Sequence, residues 1–154
     1  MTSKSTKSPW HVNPVDYGRS LKGLGINLLV RDMEASLDFY KSVVQAHVNY
    51  WNEDFAVLSR GDVQWMLHAD HTYSDNSYQG IVTGQEARGT GIELRLYDLD
   101  PDLAEAKARE GDFIILNGSL NKPHGLRECY LLDPDGYCWV PSRPLTDEEV
   151  AEFR

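Results

Sequence analysis

The segment Gly25-Ile26-Asn27-Leu28-Leu29-Val30-Arg31-Asp32-Met33 recurs 66 residues later as Gly91-Ile92-Glu93-Leu94-Arg95-Leu96-Tyr97-Asp98-Leu99. Both copies alternate apolar positions with the period of a strand and then break at an acidic residue before a helical pattern begins. One strand-to-helix corner is therefore built twice, and the chain reads as a duplicated half-domain. Function is expected where the halves meet.

A chain of 154 residues, 41% hydrophobic and 25% charged, buries one sizeable core and leaves no room for a second independent domain. No apolar run approaches a membrane span, and the polar opening Met1 to Lys7 does not resemble a secretory signal, so a cytoplasmic protein is expected. Its 24 acidic against 15 basic residues, a net charge of −9, speak against nucleic acid and anionic membranes, which attract positive charge. A cationic ligand is permitted, although acidity is ordinary among soluble proteins. Cys129 and Cys138 stand outside any CxxC pair and read as free buried thiols.

Along the chain, residues 1–20 are rich in Ser, Lys and Pro without periodicity and read as an arm. A strand over 23–31 leads to Asp32 as a helix cap, and Leu37, Tyr40, Val43 and Val44 form one helical face. Short strands are expected over 47–51, 55–59 and 63–69. Residues 71–90 are polar, with three glycines and the breakers Ser74-Asp75-Asn76-Ser77, and read as a loop joining the halves. The order then repeats. A strand over 91–97 is followed by Asp100-Pro101 opening a helix that stops at Gly111, a strand over 113–116, a loop over 118–125 and a strand over 127–132. The turn Asp133-Pro134-Asp135-Gly136 suits a type I turn with glycine in the left-handed position and feeds a strand over 137–142. Residues 144–154 hold a C-terminal helix opened by a Thr146/Glu149 capping box. The single domain thus spans 21–143, with βαβββ modules over 21–70 and 91–143. Trp65 and Trp139 fall at matching points of the two modules, and their parity marks them as core anchors.

The stretches Val30-Arg31-Asp32 through Leu37-Asp38-Phe39-Tyr40, Gly91-Ile92-Glu93-Leu94, and Gly125-Leu126-Arg127-Glu128-Cys129-Tyr130 into Asp133-Pro134-Asp135-Gly136-Tyr137 together resemble the vicinal oxygen chelate superfamily. That superfamily includes glyoxalase I, extradiol dioxygenases and bleomycin-resistance proteins. The resemblance implies an α+β fold of two βαβββ modules whose strands form a cupped mixed sheet, helices on its outer face and a ligand cavity inside. It also implies a homodimer.

Family enzymes hold a divalent metal through one His, Glu or Gln from the first and last strand of each module. The matching positions are Gly25, Met66, Gly91 and Val140, none of which offers an oxygen or imidazole donor, so no metal and no cofactor is expected. Strand alternation places Asn27 and Leu29 on the cavity side with Gly25, Gln64 and His68 with Met66, and Glu93 and Arg95 with Gly91. Ile26, Leu28, Val30, Ile92, Leu94 and Leu96 then face the helices. A three-residue hairpin loop pairs Tyr130 with Val140 and adds Glu128 and Tyr130 to the cavity. His124, in a Pro-His-Gly loop, overhangs it.

Glu93 and Arg95 read as ligand-facing, the alternative being paired charges in a solvated groove. His68 reads better as a satisfied strand-end histidine. Two function classes follow. The first is a metal-independent protein binding a small molecule in the cup between modules, a cationic one being permitted. The second is a lyase, isomerase or dioxygenase-like enzyme with Glu93 or Glu128 as base, or with a shifted metal site of His68, Glu93 and Glu128.

Overall fold

The computed structural model describes residues 12–154. The expected arm lies outside the described residues as far as position 11. Beyond it the chain forms helix α1 (Pro14–Ser20) rather than an aperiodic tail, because Asn13 Oδ1 accepts from Val15 N at 2.8 Å and Pro14 supplies a preset first helical residue.

The first module runs β1 (Asn27–Val30), α2 (Met33–Ser42), β2 (His47–Trp51), β3 (Phe55–Arg60) and β4 (Val63–Ala69). Asp32 caps α2, its Oδ1 accepting from Ala35 N at 3.0 Å. β1 is shorter than the sequence suggests, since Gly23 at φ +73 turns the chain before it joins the ladder. The joining segment is not wholly loop. A 3-10 turn spans Asp70–Tyr73, and helix α3 (Ser77–Val82) starts where Asn76 Oδ1 accepts from Tyr78 N at 2.9 Å. The polar cluster read as a breaker is thus this helix's cap.

The second module repeats the order as β5 (Glu93–Leu96), α4 (Pro101–Glu110), β6 (Ile114–Asn121), β7 (Leu126–Leu132) and β8 (Cys138–Pro144), followed by the short helix α5 (Asp147–Val150). β6 extends into the expected loop, which shrinks to a turn ended by Gly125 at φ +90. The capping box on α5 is present as expected: Glu149 N donates to Thr146 Oγ1 and Thr146 N donates to Glu149 Oε1. Gly136 takes φ +85 in the Asp-Pro-Asp-Gly turn, and the pairing of Glu128 with Ser142 and Leu131 with Trp139 sets Tyr130 opposite Val140, the register expected.

Each module forms its own four-stranded mixed sheet, ordered β1-β4-β3-β2 and β5-β8-β7-β6, with first and last strands parallel and the rest antiparallel. The helix-side faces of both sheets meet in one core that includes Leu28, Val30, Leu37, Leu58, Leu96 and Leu131. At its centre Trp65 and Trp139 approach to 5.1 Å between rings, and each packs edge-on against Tyr40. Such pairs contribute about 0.5–1.5 kcal/mol beyond the area they bury. Tyr40 Oη donates to Asp133 Oδ2 at 2.6 Å and accepts from Trp139 Nε1 at 3.2 Å, which joins the α2 of one module to the turn of the other. Burial pushes the Asp133 carboxyl up to about 6, although Tyr40 and the Tyr137 backbone N–H oppose it.

One parity assignment is corrected. Ile92 does not join the helix side; it is 61% exposed and lines a cavity, because Gly91 at φ +90 and a bond from Ile92 N to Gly89 O turn the chain just ahead of β5. Leu94 and Leu96 follow the expected parity into or against the core. Of the two thiols, Cys129 is buried and Cys138 only partly so.

Candidate functional site

Because alternation along a strand sends every second side chain away from the helices, the candidate residues emerge on the opposite faces of the two sheets. They form two groups rather than one cup. Among the described residues, no hydrogen bond or ion pair joins Asn27 and His68 of the first module to Glu93, Arg95, Glu128 or His124 of the second.

In the first module, β1 presents Asn27 and β4 presents His68. Asn27 Nδ2 donates to Tyr73 Oη at 2.7 Å, which leaves its Oδ1 to meet His68 Nδ1 at 2.5 Å. That assignment puts the imidazole proton on Nδ1 and the lone pair on Nε2. Burial lowers the His68 pKa and so favours the neutral ring. The ring lies 4.8 Å from Phe55 and 5.5 Å from Tyr73, centroid to centroid. A 440 Å³ cavity opens here, and its described lining includes Pro14, Tyr17, Tyr50, Asn52, Phe55 and His68. Gln64 and Met66 line a separate 410 Å³ cavity beside Gly25, and Leu29 is buried.

The second module gathers charge. Arg95 of β5 donates from Nη1 to Glu93 Oε2 at 2.9 Å and from Nη2 to Glu128 Oε2 on β7. His124, from the turn between β6 and β7, approaches the same Glu128 oxygen at 3.2 Å. Burial alone would raise the Glu128 pKa, but the Arg95 and His124 hydrogen bonds outweigh it and bring it below the ordinary carboxylate value. Burial likewise disfavours the Arg95 charge, and its two carboxylate partners overcome that and raise its pKa. Glu128 is 2% exposed, whereas the Glu93 side chain is 44% exposed and lines a 590 Å³ cavity with Tyr130, Ile92, Leu116, Leu132 and Cys138.

The positions that match the family's metal ligands do not fit a divalent ion. A Cβ built on Gly25 or Gly91 would meet open space, so crowding does not demand glycine there, but the Gly91 backbone at φ +90 is one that side-chain-bearing residues rarely adopt. Val140 is buried without a donor atom, and Met66 offers only a thioether. The shifted set is not assembled either: His68 lies in one group and Glu93 and Glu128 in the other, and among the described residues no three His, Cys, Asp or Glu side chains are placed to hold a metal.

Sequence reasoning missed Tyr73, Phe55 and Tyr50 in the first group and Leu116 and Leu132 in the second. An aromatic residue inside the polar run 70–76 was the available signal for Tyr73.

Comparison with solved structures decides the fold. A glyoxalase/bleomycin resistance protein/dioxygenase from Nocardioides matches at TM-score 0.61 and 18% identity, over 85% of this chain and 92% of that one. The chain has the vicinal oxygen chelate fold. A glyoxalase/bleomycin resistance protein/dioxygenase family enzyme from Burkholderia phytofirmans PsJN shares this vicinal oxygen chelate fold at TM-score 0.64 and 18% identity, covering 78% and 96% of the two chains. The fosfomycin resistance protein FosX from Mesorhizobium loti does so at TM-score 0.58 and 15% identity, covering 84% and 98%. No family model and no curated protein matches the sequence. No helix among the described residues is long and apolar enough to cross a membrane.

Proposed function

We propose that this chain is a cytoplasmic small-molecule-binding protein that works without a divalent metal at the family positions and holds its ligand on the open face of the second module. The observation that carries this reading is the sharing of one guanidinium, Arg95, between two carboxylates, Glu93 and Glu128. One negative charge is left uncompensated at the wall of a 590 Å³ cavity whose other walls are largely apolar, a size and composition suited to a small organic ligand. A cation with an apolar body matches it, the positive group at Glu93 and the body against Ile92, Leu116 and Leu132. Glu128, buried, doubly bonded and lowered in pKa, is poorly suited to serve as a base, so catalysis has less support than binding.

Isothermal titration with cationic glycopeptides and with 2-phenylethylamine tests the reading. Binding that weakens by about tenfold in Glu93→Gln is expected for a lost ion pair in a partly desolvated site. Injections without heat across both probe classes, or binding indifferent to Glu93→Gln, would overturn it. Elemental analysis of protein prepared without chelator tests the metal: a stoichiometric divalent ion would favour the enzyme reading.

A homodimer is proposed on a separate observation. β6 is a sheet edge and carries, outside the ligand cavity, the exposed apolar residues Ile114 and Leu120, an edge that natural proteins usually cover. Light scattering during gel filtration should give twice the 17.5 kDa chain mass.

A further inference from the structure

The edge strand β6 carries the dipeptide Asn117-Gly118, and no other asparagine of the chain precedes a glycine. Each of the others, Asn13, Asn27, Asn49, Asn52, Asn76 and Asn121, is tied down by at least one side-chain hydrogen bond. Asn117 makes none among the described residues and is exposed. Its backbone is loosely held as well. From Ile115 to Asn117 the pairing takes two steps on β6 for one on β7, Leu131 to Tyr130, and from Asn117 to Leu120 it takes three for two, Tyr130 to Glu128. The dipeptide therefore lies among the bulges of an edge strand, where ladder bonds are missing and the chain opens locally at low cost. Gly118 stands outside the paired register, and a Cβ there would sit 2.4 Å from Glu105 Oε1, so the position stays bare.

That combination sets up one reaction. A side-chain amide free of hydrogen bonds can swing toward the next peptide nitrogen, and a following glycine has no side chain to block the approach. We propose that Asn117-Gly118 is a site of spontaneous covalent modification, in which water converts the asparagine amide to a carboxylate through a cyclic imide. The Gly118 nitrogen gives up its proton and bonds to Asn117 Cγ, while the Cγ–Nδ2 bond breaks and ammonia leaves carrying that proton. Water then opens the imide at either carbonyl. Cleavage between the nitrogen and Cγ gives aspartate, and cleavage between the nitrogen and the main-chain carbonyl carbon gives isoaspartate, whose backbone runs through Cγ and is longer by a methylene. Water is consumed, ammonia is released, and nothing is oxidised or reduced. Either product adds a negative charge to a chain already at −9, and the isoaspartyl product disrupts the pairing of position 117 with Tyr130. The reaction uses no ligand and stands apart from the binding site proposed on the second module.

Incubation of the folded full chain in mildly alkaline buffer tests the assignment, read by peptide fragmentation that locates each mass change and by labelling with an isoaspartate-specific methyltransferase. Position 117 should gain about 1 Da before any other asparagine does, and its isoaspartyl fraction should accept the methyl label. Asn117→Gln, whose longer side chain disfavours ring closure, should keep its mass and stay unlabelled under the same conditions. The wild-type map decides the matter even if Asn117→Gln fails to fold. No conversion of Asn117 in the folded chain, conversion first at another asparagine, or conversion only after unfolding in urea would each overturn the proposal. Protection of Asn117 by a dimer closed over β6 would show as no conversion and would overturn it as well.

Discussion

Arg88 grips Asp70 through both terminal nitrogens, at 2.6 and 2.7 Å, and also donates from Nη1 to Leu29 O at 3.2 Å. The Arg88 side chain is 2% exposed, so the far end of the linker is tied to its start and to β1 of the first module. Its backbone N donates to Asp135 O at 2.9 Å, which adds the second module's turn to the same knot. Arg88→Ala should lower stability by about 2–3 kcal/mol, because it strands a partly buried carboxylate and a carbonyl together. Arg88→Lys, a point charge unable to make the paired contact, should cost about 1 kcal/mol. Urea midpoints measure both.

Removal of Arg95 should destabilise more than removal of the whole charge pair. In Arg95→Met the Glu128 carboxylate stays buried without its counter-ion, at a cost of about 3–5 kcal/mol, whereas Arg95→Met with Glu128→Gln should recover at least half of that. A double-mutant cycle in urea checks the coupling.

Asp133 should impose a pH dependence of stability in the weakly acidic range. Its carboxyl is pushed up from 3.8 to about 6 by burial, so the folded state holds the proton more tightly than the unfolded state. Its contribution is therefore full below pH 3.8 and is lost as pH rises through 6, a change of about 2–3 kcal/mol. Asp135 is raised as well by burial and adds in the same sense, while Asp102 and Glu128 are lowered and act at more acidic pH in the opposite sense. Chemical denaturation between pH 4 and 7 should show the slope, and Asp133→Asn should flatten it.

Two left-handed glycines should respond differently to alanine. At Gly136, φ +85, an added Cβ would sit 2.5 Å from Ala87 Cα, so strain and a backbone collision combine and Gly136→Ala should cost about 3 kcal/mol or more. At Gly125, φ +90, nothing lies within 4 Å and Gly125→Ala should cost about 1–2 kcal/mol. Thermal unfolding of the two variants gives the comparison.

The duplication was legible because both copies bury the same parity: Leu28 and Val30 in one module, Leu94 and Leu96 in the other, pack on the helix side where alternation puts them. The register of the last hairpin was legible too, since the Asp-Pro-Asp-Gly turn admits few geometries. Ile92 was misplaced because strand alternation was carried through Gly91, where a turn and not a ladder sets the direction. Helix α3 was missed for a related reason: six residues show too little periodicity, and Asn76 signalled a cap and a breaker alike. The gathering of the candidates into one cup failed on a different point. Parity fixes which face of a sheet a residue occupies, but how two sheets stand to one another is set by the aromatic contacts of Tyr40, Trp65 and Trp139, which no local pattern encodes. The sharing of Arg95 between Glu93 and Glu128 was legible only as the alternative of paired charges, and its particular partners were not, because β5 and β7 are separated by β8 and only side-chain reach connects them.

The bend at Gly91 also limits what that position can become. A histidine at position 91 would have to straighten the peptide leading into β5, undoing the contact of Ile92 N with Gly89 O. Installing a donor atom there demands a concerted rebuilding of main chain and side chain, so a single exchange does not suffice.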